Sequence, residues 1–423
     1  VHARDQDRVS PPPAEPSAGA DAAASDACPG ILDLHEARDG LVARFRLPGG
    51  YVSAARLRSL AALASRFGDG RVDLTARGNV QLRGIRAGAA PGLGQRAAAA
   101  GFLPSPAHDR ARNIVASPFA GLAGHPDLRG LVQSLDRAIR ADSGLAALPG
   151  RFLFSLDDGT GRAGLGACDV GLRWQPGGAE LIVAGRRTGR FGPAAQQIRL
   201  AVAAARAFLD QRTAGWPHTN RVARLPDGGA AVAAAVGGKL GERVADTTGR
   251  LALGPVPEAG PAEPAAVAAA PLGRLTATQV RLIAGLVRPG GAVRFTAAGR
   301  IVLPLAERTE AALARLSGAG LLVRDDHLLA AVTACAGMSC ASSLANVRAL
   351  ATRVPGLAAV HWAGCHRDCG RPADATAVIA TPAGLFTQDD GTPVLAGPGG
   401  QFRLGDAPGR AGGRALAEAA RPA

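Results

Sequence analysis

Apolar and polar residues alternate along LVARFRL (41–47), and a period of two predicts a strand. From Ser53 the period lengthens. Leu57, Leu60, Leu63 and Ala64 fall on one face, so the stretch to about Phe67 reads as a helix capped by the Ser53 hydroxyl. GDG then turns the chain into RVDLTARGNVQLRGI (71–85), two strands about a Gly-Asn turn. The same order of elements returns late in the chain. LTATQVRLIAGLV (275–287) predicts a helix with Thr276 or Thr278 as cap, PGG a turn, and AVRFTAAGRIVLPLA (292–306) a strand pair. Laid together without gaps, VDLTARGNVQL (72–82) covers VRFTAAGRIVL (293–303), matching Thr75 to Thr296, Gly78 to Gly299 and Leu82 to Leu303. Two β-α-β-β units imply an internal duplication. The copies differ at the turn. Arg77 is matched by Ala298 and Gln81 by Val302, so only the first copy keeps polar side chains there.

Between the copies the chain changes character. RNIVASPFAGL (112–122), GRFLFSLDDGTGR (150–162) and AELIVAGRRTGRFG (179–192) read as strand ends with Gly-rich loops, and IRLAVAAARAFLDQR (198–212) as a helix. The expected order is unit, lobe, unit, lobe. A Pro/Ala/Ser-rich tail over 1–30 is expected to be mobile, followed by a first unit over 31–105 and an α/β lobe over 106–250. PVPEAGPAEP (255–264) is the linker candidate. A second unit then spans 265–320, a second lobe 321–405 and a C-terminal tail 406–423.

At 423 residues the chain is too long for one core, and 47% hydrophobic residues with mean hydropathy +0.10 indicate a globular protein of several lobes. The N-terminal stretch has no apolar h-region, and no apolar run approaches the roughly 20 residues that span a bilayer. The expectation is a cytoplasmic protein without a signal peptide or membrane segment. Net charge is +14, and of the 48 Lys and Arg residues only Lys239 is a lysine. Arginine holds its charge and pairs with carboxylates at two points, so a polyanionic ligand stands beside the plainer reading of a solvated basic surface. With 4% aromatic residues and no nucleic-acid motif, a nucleic-acid partner is not expected.

Four of the six cysteines crowd together. ACAGMSC supplies Cys335 and Cys340, and 24 residues later CHRDC supplies Cys365 and Cys369. Thiolates in a group of four hold [4Fe–4S] clusters. Structural zinc also uses four, usually with closer pair spacing than the gaps of four and three found here, and free thiols are the third reading. Clustered thiols in a large chain fit a reducing compartment. Cys28 and Cys168 lie apart and read as small buried hydrophobes.

TARGNVQ after a strand, RN in RNIVASP, LPGRFLFSLDDG and two Cys pairs, the second written CxxxC, together resemble the sulfite/nitrite reductase superfamily over about residues 30–405. The resemblance implies an α+β, duplicated architecture: two ferredoxin-like half-domains alternating with two larger α/β lobes, a tetrapyrrole at the interface of the halves, and a [4Fe–4S] cluster beside it. Within the superfamily, DACPGILDLHEA, VDLTARGNVQLRG, ACAGMSCASSLANVRALA and VHWAGCHRDCGRP are most similar to the precorrin-3B synthase family of aerobic cobalamin biosynthesis. That similarity implies O2-dependent hydroxylation of precorrin-3A at C20, with a γ-lactone closed by the ring A acetate. Electrons would come from a separate donor, an NADH-linked reductase or ferredoxin, since the chain carries no nucleotide fingerprint. Siroheme is implied only by the alternative, a sulfite or nitrite reductase.

By the same resemblance Cys335, Cys340, Cys365 and Cys369 are the cluster ligands, with Cys369 nearest the tetrapyrrole. Nearby Gly337, Gly364 and Gly370 would let backbone amides approach the sulfurs. Arg77, Gln81, Arg112, Asn113 and Arg151 match tetrapyrrole-facing positions. Arg83, Arg86, Arg186 and Arg187 are weaker candidates. A mononuclear non-haem iron, suggested for the family, has His361, His366 and Asp368, or Asp325, Asp326 and His327, or His218 as candidates, none at a diagnostic spacing. The first Cys loop is one residue shorter than the superfamily pattern. Reductases of the superfamily carry two lysines at the stretch that here reads Gly150-Arg151-Phe152-Leu153-Phe154, so the second basic position is an apolar Leu153. This favours an oxygenase over a reductase.

Overall fold

The computed structural model describes residues 28–247, 250–256, 263–296, 299–353, 359–372, 374–388, 394–396 and 402–404. The N-terminal tail up to residue 27, Ala298, most of the expected linker (257–262) and the C-terminal tail lie outside the described residues.

The two repeated units form as their patterns predict. The Ser53 hydroxyl accepts from Arg56 N at the start of the helix Ala54–Phe67. Thr276 caps Ala277–Leu286 with Gln279 reaching back to its amide, a complete capping box. Each unit contributes to a five-stranded sheet. The first runs His35–Ala37, Gly40–Phe45, Val80–Ile85, Arg71–Leu74, and its last strand is Arg274–Thr276, from the second unit. The other runs Gly254–Pro255, Ala265–Ala269, Arg300–Pro304, Ala292–Phe295, and its last strand is Tyr51–Ser53, from the first unit.

The two units therefore exchange edge strands. Each exchange makes a joint. At one, Arg274 pairs with Asp73 at two points, 2.5 and 2.8 Å. At the other, the equivalent places hold Tyr51 and Arg294, with the guanidinium 5.2 Å from the ring centre. Their helices share a single core that includes Leu57, Leu60, Val280 and Ile283. Gly50, at φ +72°, lies where a side chain would strike the Phe295 carbonyl.

The lobes repeat each other too. Ile114–Ala116, Phe154–Asp157 and Val170–Gln175 are parallel neighbours, and Gly178–Val183 returns antiparallel. Val332–Ala334, Val360–Ala363, Thr376–Thr381 and Gly384–Thr387 follow the same scheme. The first lobe is the larger, with Arg129–Ala141 and Ala194–Ala214 packed on its core. No helix among the described residues is long and apolar enough to cross a membrane.

Candidate functional site

The face of each sheet away from the shared core is where the duplicated units part ways. On the second unit, Val302, Val267 and Ala269 on that face are sealed under Leu122, Leu253, Val256 and Leu322. On the first unit it is polar. Arg44 and Arg46 alternate with Ala43, Phe45 and Leu47, so the two-residue period sends both guanidinia to the outer face. Gln81 sits opposite Arg44, and its amide oxygen accepts from Arg44 Nη2 and Nε at 2.7 and 3.1 Å once the amide is oriented to satisfy both. Asp73 and Arg274 continue this row across the sheet.

One end of this floor meets the first lobe. Asn79, after the Gly78 turn, accepts from Leu47 N at 2.9 Å and donates to Asn113 Oδ1 at 2.9 Å. Asn113 in turn donates to the Phe152 carbonyl at 3.0 Å. Arg46, 1% exposed, reaches Asn113 Oδ1 (3.4 Å) and the Gly150 carbonyl (3.2 Å). Arg77 donates to the Arg151 carbonyl at 3.1 Å. The Gly150–Leu153 stretch is thus bolted to the half-domain by two arginines and an asparagine pair.

Burial lowers Arg46 to about 9, helped by the positive charges of Arg44 and Arg77, with Cys28 and Asp109 opposing. Burial likewise lowers Arg77 to about 10, with Arg221 the next cause. Both remain cations at neutral pH, in a place where a carboxylate would restore lost solvation.

The sequence candidates divide on this geometry. Arg77, Gln81 and the exposed Arg151 border the polar floor. Arg112 and Asn113 lie behind this floor. Arg112 is 3% exposed and committed to Asp136 Oδ1 at 2.7 Å. Asn113 is fully buried with both ends of its amide occupied, so it holds neighbours in place. Arg83 has protein partners on two sides. It pairs with Asp39 at 3.0 and 3.1 Å and donates to the Ser339 carbonyl at 2.8 Å, which ties the floor to the first Cys loop. Arg86 and Arg186 are exposed, and Arg187, also exposed, pairs with Glu180 at 2.8 Å. Arg44, Arg46 and Arg221 escaped the sequence reading, although alternation in LVARFRL carried the signal for the first two.

At the other end stand the cysteines. Cys335 directly follows the strand Val332–Ala334, and Cys365 follows Val360–Ala363 after one glycine, so both loops leave the carboxyl ends of parallel neighbours. Open α/β sheets bind ligands at such ends. In the first lobe the equivalent strand ends carry Ser117, just after Ile114–Ala116, and Asp157, the last residue of Phe154–Asp157, whose carboxylate accepts from Ser117 Oγ and from the amides of Gly159, Gly161 and Ala163. Cys335 Sγ accepts from Gly337 N at 3.3 Å and Gly364 N at 3.2 Å, the amide approach anticipated for those glycines. A side chain at Gly364 would lie 2.0 Å from Ser343 Oγ. Arg348 braces the loop, donating to the Cys335 carbonyl (3.1 Å) and the Leu272 carbonyl (3.0 Å). Cys369 is exposed at the surface, yet its thiol is pushed up, first by desolvation among the surrounding loops and then by the charges of Cys365, Cys335 and Cys340, so the four sulfurs are electrostatic neighbours.

Among the described residues no three or more His, Cys, Asp or Glu side chains converge on a single ion. In a four-iron cluster each thiolate takes its own iron, so convergence on one point is not required. The donor set of four thiols with amide donors to sulfur fits such a cluster. The mononuclear iron candidates do not assemble. His361 is buried, held at Nδ1 by Thr333 Oγ1 (2.9 Å) and facing Asp368 at 3.8 Å, while burial lowers it to about 4. Asp326 pairs with Arg324, Asp325 lies 3.6 Å from Arg300, His327 accepts from Leu329 N at 3.1 Å, and His366 and His218 are exposed. Of the two outlying cysteines, Cys168 is 2% exposed and its thiol is pushed up by burial, as a core residue. Cys28 is half-buried within electrostatic reach of Arg46 and Arg77.

Comparison with known proteins fits this arrangement. A family model described as the nitrite/sulfite reductase ferredoxin-like half domain matches residues 35–100. A ferredoxin–nitrite reductase of Leptolyngbya laminosa is 39% identical over 100 residues, 23% of this chain and 20% of that one. A precorrin-3B synthase of Sinorhizobium sp is 32% identical over 151 residues, 35% of this chain and 32% of that one. The matched stretches thus span a fifth and about a third of these two relatives. A ferredoxin–nitrite reductase of Synechococcus elongatus is 27% identical over 381 residues, covering 78% of this chain and 74% of that one. The solved structure of the Mycobacterium tuberculosis NirA protein superposes with a TM-score of 0.65 at 21% identity, over 78% of this chain and 69% of that one. The half-domain match over residues 35–100 and the relatives on both the reductase and the synthase side make the chain similar to sulfite/nitrite reductases, and its duplicated α+β architecture is the reductase-like one.

Proposed function

We propose that the protein is a precorrin-3B synthase, an O2-dependent monooxygenase of cobalamin biosynthesis. It would hydroxylate precorrin-3A at C20 while the ring A acetate closes a γ-lactone. One oxygen atom enters the product. The other leaves as water, with two electrons and two protons supplied by a separate donor. Cys335, Cys340, Cys365 and Cys369 would hold a [4Fe–4S] cluster, which supplies electrons one at a time. The substrate's carboxylates would meet Arg77, Arg151 and Arg44 on the polar floor, with Gln81 fixing Arg44 and the buried Arg46, Arg112 and Asn113 supporting from behind. The site of action would be cytoplasmic.

The observation that carries this reading is Leu153. It lies on the stretch that Arg77 and Arg46 bolt to the floor and is 8% exposed. Reduction of sulfite or nitrite to the fully reduced product consumes protons at the bound substrate, and leucine has none to give. Arg151, the remaining basic residue of the stretch, does not release a proton near neutral pH. The similarity to a named precorrin-3B synthase supports the same side. The alternative, a siroheme- and cluster-dependent reductase, has in its favour the relative that covers most of the chain.

The test is the optical spectrum of anaerobically purified protein, with iron, acid-labile sulfide and extractable siroheme quantified, followed by incubation with precorrin-3A, O2 and a reductant. A cluster spectrum without siroheme, and product gaining one oxygen atom from 18O2, is expected. Extractable siroheme with sulfite or nitrite turnover would establish the alternative.

A further inference from the structure

Arg77 and Arg221 come from different parts of the molecule, the first half-domain hairpin and the loop after the long helix Ala194–Ala214, yet they are anchored on the same short stretch. Arg77 donates to the Arg151 carbonyl at 3.1 Å. Arg221 is fixed through Asp169, whose Oδ2 lies 2.7 Å from Arg221 Nε and accepts from Leu153 N at 2.8 Å. Asp169 also accepts from Val222 N at 2.6 Å, and its side chain is 1% exposed. A second anchor runs from Arg221 Nη2 to the Ala167 carbonyl.

These contacts fix Nε and Nη2 of Arg221 and leave Nη1 without a protein acceptor among the described residues. The Arg221 side chain keeps 23% exposure. Two like charges are thus held on one short stretch, and after burial the charge of Arg221 is the next cause that lowers Arg77. Folding alone gives no reason to build such a pair at the boundary of half-domain and lobe. An anion between them does, because guanidinium forks take carboxylates at two points.

We infer that Arg221, positioned by the buried Asp169, shares one carboxylate of the bound tetrapyrrole with Arg77. The inference rests on the reading of a polycarboxylate tetrapyrrole as ligand and adds a residue from the first lobe to its binding set. Through Asp169 and Leu153, the same contact ties ligand binding to the Gly150–Leu153 stretch.

Binding of uroporphyrin, a tetrapyrrole with eight carboxylates, to the cluster-loaded full chain tests it by calorimetry or fluorescence quenching. Arg221→Gln and Arg77→Gln should each weaken binding about tenfold, the worth of one charge-assisted contact. The double variant should lose clearly less than the product of the two, because one carboxylate cannot be lost twice. Arg221→Lys should recover part of the loss. Asp169→Asn should weaken binding, and the effect should vanish when Arg221 is already glutamine. A purely structural Arg221 would lower the melting temperature without this ligand-dependent coupling. Wild-type affinity in a folded Arg221→Gln, or fully multiplicative losses, would overturn the inference and leave the proposed function standing. Failure of the wild-type chain to bind any polycarboxylate tetrapyrrole would instead sink the proposed function, and the inference with it.

Discussion

Asn79 donates to Asn113 across 2.9 Å, joining the turn of the first half-domain to the first strand of the first lobe. Both residues are buried, at 1% and 0% exposure. Each end of the Asn113 amide is matched, the oxygen by Asn79 and Arg46 and the nitrogen by the Phe152 carbonyl. Truncating it would strand three buried groups at once. Asn113→Ala is expected to lower stability by about 1–3 kcal/mol, the cost of leaving a buried polar group unsatisfied. Urea unfolding of the full chain measures this. A loss within ~0.5 kcal/mol of zero, the range of ordinary surface changes, would show that the junction is not held by this pair.

The cluster loops admit a sharper test than replacing a cysteine. Gly364 N approaches Cys335 Sγ at 3.2 Å, and a methyl group on Gly364 would sit 2.0 Å from Ser343 Oγ and 2.9 Å from its Cβ. The Ser343 backbone also lies close, so the serine cannot simply swing away. Gly364→Ala should therefore displace the amide from the sulfur, and purified protein should lose most of its iron and acid-labile sulfide. The second change Ser343→Gly makes room and should restore much of both. Normal iron content in Gly364→Ala would mean that the loops close around the cluster in another way.

The duplication sets up an internal comparison. Gly78 and Gly299 occupy equivalent turns, at φ +66° and +71°. An alanine at Gly299 meets nothing within 4 Å, whereas one at Gly78 would lie 2.5 Å from the Phe295 carbonyl oxygen. Gly299→Ala should cost only the left-handed backbone penalty of about 1–2 kcal/mol. Gly78→Ala should cost a further ~1–3 kcal/mol, because the units must separate where they interlock. Equal melting temperatures for the two variants would contradict the close approach of the halves at Phe295.

Much of this was legible in the chain because it is local. Helix caps at Ser53 and Thr276, both hairpins and the Cys loops depend on residues a few places apart, and the repeat was visible as matched Thr and Gly positions. The loss of polar residues in the second copy was visible too, though its cause was not. Val302 replaces Gln81 because Leu122 and Leu253, far apart in sequence, cover that face. The exchange of edge strands could not be read either. Tyr51–Ser53 and Arg274–Thr276 look like ordinary leads into their own helices, and only the three-dimensional pairing sends each to the other unit. The fate of Arg112 had the same obstacle. Its motif suggested a tetrapyrrole-facing place, and its pairing with Asp136 on the helix Arg129–Ala141 is visible only in three dimensions.

The electrostatics of the floor predict how ligand binding varies with pH. Arg46 and Arg77 are lowered by burial to about 9 and about 10, and a bound carboxylate favours the charged form of both. Binding is therefore linked to the protonated guanidinia: it is fully present below these values and lost as pH rises through them. Uroporphyrin affinity should be nearly level from pH 7 to about 8.5, since its carboxylates are already ionised there, and should fall as pH passes about 9. His361, lowered to about 4 by burial, is neutral throughout this range and contributes no step. Replacing Arg77 with glutamine should leave the decline near 9 that belongs to Arg46. Added salt should weaken binding at every pH, less steeply than for an exposed patch, because buried charges are poorly screened. A decline centred between pH 6 and 7 would assign the binding charge to a histidine and remove the two arginines from the site.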